Sequence, residues 1–297
     1  MMNQTIASSK PARIFLIELA AILLSAATLL AGGDGRVEKT FDTTREPRIS
    51  LTNLKGIILV RGWDKAQVHV IYMVVSPRLE VDSESLPATG PAEKVHFDAH
   101  LLDASLPSDQ QVADYTLDVP LGASLEIRNP RGKILVQGMQ ADASLQSVSG
   151  DISIRDYSGH LSVRTIGGDI DIIHSSGNVE ADSVTGNLRF VSPATARLHG
   201  STTSGHILFE GDFSERGDYI LSDYSGDVDI VCPASASYEL SAKTVKGKVM
   251  NTMPMTRRRE SASSLGNSNS LLGTHNTGRA TLELTSFSGN IRIRPQD

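Results

Sequence analysis

The residues in this chain whose type and spacing most suggest chemistry are aspartates placed beside glycines. Asp151, Asp169 and Asp227 each directly follow a glycine, and Asp171 and Asp229 stand two residues further on. If the eighteen residues from Asp151 to Asp169 make one turn of a stacked structure, the two carboxylates lie about 4.8 Å apart, one strand spacing. Such a pair suits two chemistries. Asp151 and Asp169 are candidate calcium ligands, because Ca²⁺ takes several hard oxygen ligands. Paired carboxylates also serve as acid and base in polysaccharide cleavage. The sequence weakens both readings. The next two repeats carry Asn187 and His206 at the same position, and the dense Gly-Gly-x-Gly-x-Asp pattern of calcium-binding rolls does not occur. Corners of a few residues supply no long loops for a cleft. The reading adopted is a hydrated turn residue accepting local backbone hydrogen bonds, with no catalytic, cofactor or metal site expected.

The other reactive residue types make no set. His96 and His100 share one face of a strand-like segment, where four residues separate them by about 13 Å. His160 and His206 fall at corners, and no Gly-x-Ser-x-Gly elbow is present to activate a serine. Cys232 is the single cysteine, which excludes an intramolecular disulfide and a cysteine-based zinc site; it reads as a small buried hydrophobe. Trp63 reads as a core or turn-packing ring before an exposed binding aromatic. The run Arg257-Arg-Arg-Glu260 reads as a solvated loop.

The elements that must position these residues follow from a repeat. A glycine, a polar residue, an aliphatic, any residue and a second aliphatic recur at Gly150, Gly159, Gly168, Gly177, Gly186, Gly205, Gly226 and Gly289, with looser fits at Gly132 and Gly247. With Gly159 and Gly177 set aside, the steps from Gly132 to Gly289 are 18, 18, 18, 19, 21, 21 and 42 residues, the last being two steps of 21. Seven residues before Gly150, Gly168, Gly186, Gly205, Gly226, Gly247 and Gly289 stands an apolar residue, three before a Ser, Thr or Asp, and two before mostly another apolar one (Val148, Ile166, Val184, Thr203, Tyr224, Val245, Phe287). Alternation at period two predicts strands with one buried face. The glycine is expected to supply a positive φ at a tight corner. Strands this short bury no core within one repeat, so the repeats must stack.

The expected fold is all-β: a narrow, single-stranded β-solenoid of β-helix or β-roll type, right-handed by the crossover preference. Its solenoid repeats occupy 121–297. A β-sandwich would offer similar hairpins but does not ordinarily keep an 18-to-21-residue period over seven steps. Residues 34–120 alternate without the strict period and read as an antiparallel β cap over the first coil, since an open end would offer unpaired strand groups. Within it, Asn53-Leu-Lys-Gly56-Ile-Ile-Leu-Val resembles one isolated repeat. Residues 251–278, rich in Ser, Asn and Gly, read as a flexible insertion between two coils. The final pair of strands, 280–294, is expected to close the solenoid.

The first 33 residues read as an address. Lys10 and Arg13 precede an apolar run, Ile14 to Ala31, that ends in Gly32-Gly33, the pattern of a secretory signal cleaved near Gly33. The competing reading is an uncleaved anchor, against which Glu18 argues. In either case the bulk of the chain is expected to be exported: periplasmic, on the cell surface or secreted. The formal net charge of −6 excludes a generic basic nucleic-acid binder. Hydrophobic residues at 39% and aromatics at 5% leave a core of Ile, Val and Leu.

Gly56-Ile-Ile-Leu-Val-Arg-Gly-Trp-Asp64 followed by a Val-His-Val strand, and then the serial Ser-Gly-Asp-Ile-x-Ile units from Ser149, resemble the bacterial "putative-adhesin" family of LiaG-like domains of unknown function. The resemblance runs from about Val37 to Pro295. It implies a β-solenoid exposed in the cell envelope and no catalytic residues. The expected function is therefore non-enzymatic and adhesin-like: a repetitive surface that binds an envelope polymer or an envelope or membrane protein, with no nucleic acid and no membrane contact other than an N-terminal anchor. Two alternatives stand beside it, a structural or sensing component of an envelope-stress system and a carbohydrate-active enzyme using the Asp row.

Overall fold

The computed structural model describes residues 35–257 and 269–296. The expected signal segment and residues 258–268 of the expected insertion lie outside them. The described residues form twenty-one strands and no helix, an all-β fold as the alternation predicts. Among them, no helix is long and apolar enough to cross a membrane.

One coil is clearest in β8 (Ala143–Ser149), β9 (Ile152–Thr165) and β10 (Ile170–Ser183). The first stretch of β9, Ile152 to Arg155, completes the coil begun by β8; the chain bends at Asp156, and Leu161 to Thr165 begins the next coil. β9 and β10 run parallel with a constant offset of eighteen residues, Ile152 facing Ile170 and Leu161 facing Val179. The same stacking continues through β11 (Leu188–Val191), β12 (Ala194–Thr202), β13 (Ile207–Glu210), β14 (Asp218–Asp223) and β15 (Val228–Cys232). Two parallel ladders therefore face each other across an apolar filling, joined at the corners by the bent strands.

The filling is made of columns, because each coil repeats the in-out alternation of the last. Leu125, Ala143, Leu161, Val179, Leu198 and Tyr219 form one column, and Ile134, Ile152, Ile170, Leu188, Ile207 and Val228 face it from the other ladder. All of them are buried, each aliphatic stabilising the fold by about 1.5–3 kcal/mol relative to exposure. Bulk is compensated across the core: Phe190 occupies the space left at Gly200, where an added Cβ would lie 3.0 Å from the ring. Where the repeat lengthens to 21 residues, the extra chain brings in Phe213, which packs on Phe209, Tyr219 and Tyr238 with ring centroids 4.9–5.2 Å away.

The upstream region combines two kinds of pairing. β1 (Arg36–Thr52) pairs through its first half with β3 (Gln67–Val74), β3 pairs with β6 (Ala113–Pro120), and β4 (Leu79–Leu86) pairs with β5 (Ala92–Leu101), all antiparallel. The second half of β1 and the whole of β2 (Gly56–Trp63) instead run parallel to the two halves of β7 (Ser124–Gln137). β5 and β6 lie parallel beneath them. The isolated repeat at Gly56 is thus a full coil, stacked directly under the coil of Gly132.

At the other end, the order in space departs from the order in the chain. β20 (Ala280–Ser286) pairs with β14 on one side and β16 (Tyr238–Thr244) on the other, and β21 (Ile291–Pro295) lies between β15 and β17 (Val249–Asn251). The C-terminal repeat does not close the solenoid, as the sequence led us to expect; it is inserted one coil before the end. Composition explains the order. Ile291 and Ile293 are fully buried and need cover on both sides, whereas the 249–251 strand offers a half-buried Val249, an exposed Met250 and Asn251 in place of a second aliphatic. The weaker repeat takes the outer place. Its β16 edge is covered by β19 (Ser270–His275), and β19 by β18 (Thr256–Arg257), both antiparallel. The described parts of the expected insertion are therefore built into this end. Buried His275 pins it, with its ring nitrogens 2.6 Å from the Pro254 carbonyl and 3.1 Å from that of Ala234.

Candidate functional site

The turn that carries most of the repeat glycines forms one long edge of the solenoid, and the Asp row lies along it. Nine glycines stack in the order 56, 132, 150, 168, 186, 205, 226, 289, 247, each against the backbone of the glycine in the coil below, with Ala113 below the first. The reason for glycine differs from the one expected. In this column a positive φ occurs at Gly56 and Gly132 alone. At Gly150 or Gly226 an added Cβ would overlap the carbonyl oxygen of Gly132 or Gly205, so close approach between coils is what excludes a side chain. Gly159 and Gly177 belong to a different corner, with φ of 132° and 94°. A third corner turns left-handed without glycine, at Asp156, His174 and Ser192.

Three residues before the glycines, the Ser/Thr column is buried, and the hydroxyls of Thr202, Ser286 and Thr244 fasten their turns to the neighbouring coil. Ser286 accepts from the Gly289 N–H at 2.9 Å and donates to the Gly226 carbonyl at 3.4 Å; Thr244 makes the same two contacts with Gly247 and Gly289. Asn129 takes the role in the N-terminal coils, donating to the Gly56 carbonyl and receiving a bond from Asn53. Asp223 is the exception in charge. Its carboxylate accepts from the Gly226 N–H, but burial, with the nearby Asp227 charge a lesser cause, raises its pKa above the ordinary value despite the backbone donors around it.

The Asp row directly after the glycines is engaged in the same stacking. Asp151 Oδ1 accepts from the Asp169 N–H at 3.3 Å, Asp169 Oδ1 from the Asn187 N–H at 2.8 Å, and Asn187 Oδ1 from the His206 N–H at 2.8 Å. Asp227 and Asn290 continue the pattern. The second Asp151 oxygen lies 3.3 Å from Lys133 Nζ. Burial works against ionisation of Asp227, yet the Asn290 N–H and the Arg292 guanidinium hold its carboxyl below the ordinary value. Asp171 and Asp229 pair with Arg189 and Arg292, each at 3.2 Å. The calcium candidates Asp151 and Asp169 thus sit on adjacent coils, each bonded to the backbone of the next. Among the described residues, no cluster of three His, Cys, Asp or Glu side chains has the arrangement of a metal site.

The remaining candidates are dispersed. His100 lies beside Glu80 and Asp82, whereas His96 is exposed. His206 is 3.4 Å from Asp229. Trp63 donates its indole N–H to the Gln67 carbonyl and stacks on His69, a turn-packing role. Cys232 is fully buried, and burial pushes its thiol up to about 11. The Arg257–Glu260 run lies almost wholly beyond the described residues.

The feature least expected is the column two residues before the glycines. Val148, Ile166, Val184, Tyr224 and Val245 are each between 44% and 55% exposed, forming an apolar ridge along the edge. Tyr224 and Phe287 stack in parallel at 4.7 Å, with Lys246 over Phe287. Beside the ridge, Ser149, Thr185, Ser204, Ser225 and Ser288 add exposed hydroxyls. A groove of about 550 Å³ runs along the ridge over four coils, from Arg128 and Pro130 to Asp182 and Val184. The signal for this ridge was in the alternation: counting inward from Leu161, Val163 and Thr165 places Arg164 and Ile166 outside.

A stacked, parallel, turn-stitched solenoid with one ridged edge defines the class of protein. Residues 198–294 match the family model Toastrack DUF4097. Three solved structures are similar at low identity. A "putative cell adhesion protein" from Clostridium sporogenes shares 10% identity over 87% of this chain and 99% of its own, at a TM-score of 0.27. A "putative adhesin" from Bacteroides fragilis shares 9% over 87% and 97%, at 0.35, and another from Parabacteroides merdae 7% over 89% and 98%, at 0.25. Likenesses of this size carry no functional inference. No curated protein matches the sequence.

Proposed function

We propose that this chain is a non-enzymatic, adhesin-like protein of the cell envelope that holds an extended polymer along the glycine-turn edge of its solenoid. The observation that carries the reading is the ridge itself, which presents one side chain per coil, largely apolar and exposed, at a rise of about 4.8 Å. A monomeric soluble surface rarely leaves so long an apolar row, broken here only at Thr203, without a partner. Regular spacing lets weak contacts add along a repetitive ligand, so affinity grows with the number of coils engaged. The aspartates of the catalytic alternative are tied to backbone N–H groups, Lys133 or arginines, which favours binding over acid–base work. Export rests on the N-terminal signal pattern.

Retention on immobilised cell-wall polymer tests the proposal. The triple variant Val148→Asp, Ile166→Asp, Val184→Asp is expected to lose retention with its melting temperature little changed, because the replaced side chains are half exposed. Equal retention of variant and parent would refute the ridge as the binding edge. Recovery of the chain without residues 1–33 from the extracytoplasmic fraction tests export.

A further inference from the structure

The groove beside Val148, Ile166 and Val184 differs from the rest of the edge in two respects. The first is a pair of buried hydroxyls. Ser147 and Thr165 line it, more than nine-tenths buried, and their hydroxyl oxygens have no hydrogen-bond partner. The equivalent hydroxyls of Thr202, Ser286 and Thr244 donate to glycine carbonyls. The second is charge. At the position four residues before the glycine, successive coils carry Arg128, Gln146, Arg164 and Asp182, all lining the groove. The two arginines are two coils apart, about 10 Å. Their present partners are surface acids: Glu126 lies 3.0 Å from Arg128, and Glu180 and Asp182 are each 3.4 Å from Arg164. Both arginine side chains are more than half exposed, at 56% and 59%, so these pairs hold little energy and can be exchanged for a ligand's carboxylate.

We infer that this groove is a binding site for a linear acidic glycan whose carboxylates recur on every second sugar. The inference rests on the polymer-binding reading above and gives it a ligand class and a frame. In an extended glycan the length of one sugar is close to the spacing of strands, so one sugar meets one coil. Carboxylates on alternate sugars then meet Arg128 and Arg164 as bidentate partners, and the neutral sugar between them faces the Gln146 amide. Apolar sugar faces lie along Val148 and Ile166, above the inward-facing Ser147 and Thr165. Asp182 on the next coil faces a neutral sugar and, 3.4 Å from Arg164, competes with the ligand's carboxylate for that guanidinium.

Titration calorimetry on the full chain tests this with two hexasaccharides, one alternating glucuronate with N-acetylglucosamine and one of N-acetylglucosamine alone. The acidic probe is expected to bind and the neutral one to bind more weakly. Arg128→Gln and Arg164→Gln should each reduce affinity for the acidic probe on the order of ten-fold, the loss expected for a charge-assisted hydrogen bond, with no change for the neutral probe. Asp182→Asn should tighten the acidic probe. Circular dichroism confirms that each variant is folded. Equal binding of both probes, or indifference of the acidic probe to Arg164→Gln, overturns the inference. Binding of a fatty acid that Ile166→Asp abolishes and Arg128→Gln does not would also overturn it, giving the groove to an acyl chain. If the chain is held by whole cell-wall polymer regardless of Arg128 and Arg164, this site fails and the broader reading stands; if no polymer holds it, both fail.

Discussion

Single residues in this protein are chosen by what the coil below leaves room for. Gly168 has the Gly150 backbone where its Cβ would go, so Gly168→Ala should destabilise by about 1–3 kcal/mol or more through overpacking that backbone cannot relieve. Gly138 makes the opposite case. It is left-handed at φ 70° with open space around its Cβ position, and Asp156, His174 and Ser192 hold the equivalent corner without glycine. Gly138→Asn should therefore change stability by less than about 1 kcal/mol; chemical denaturation of the two variants separates close approach from backbone conformation. Asp223 gives a pH signature. Its folded pKa is raised by burial, so the folded state is favoured when it is protonated, and that contribution is lost as pH rises through the folded pKa. Asp223→Asn should raise the melting temperature at neutral pH, and the gain should shrink as pH falls into the carboxylate range. Cys232, buried with a raised thiol pKa, should resist a thiol reagent in native protein at pH 8 and react on unfolding.

At the scale of elements, the strands and their stacking were legible because period-two alternation and a fixed repeat leave few other ways to bury the aliphatics. The order of coils was not, because chain order is only a default. The difference lay in two residues: Asn251 stands where other repeats place an inward aliphatic, and Ile293 fills that place in the last repeat. Hydrogen exchange distinguishes the arrangements. The amides of Ile291 and Ile293 should exchange as slowly as those of β11 although they lie near the C-terminus, while Met250 and Asn251 should exchange faster. Stacking in chain order would reverse that ranking. The upstream strands show a similar lesson, since Gly56 and Asn53 carry the turn signature of the downstream repeats, yet the intervening residues conceal the period. The ridge of the candidate site was encoded in strand parity, but the groove and its orphan hydroxyls depend on contacts between coils, which one repeat read alone does not contain.

For the molecule as a whole, the two ends are finished differently. Antiparallel strands cover the β16 edge at one end, and mixed strands spread over the other, which protects the stack from adding further chains by edge pairing. The position of the C-terminal repeat has a consequence in time. Synthesis delivers residues 280–294 after those of β16 and β17, but the later residues form the inner coil, and the coil of β16 and β17 reaches its place only once they have passed beneath it. The stack cannot be completed by winding in the order of delivery. Its last two coils close together, as a keystone and the stone above it, once residues 280–294 have emerged.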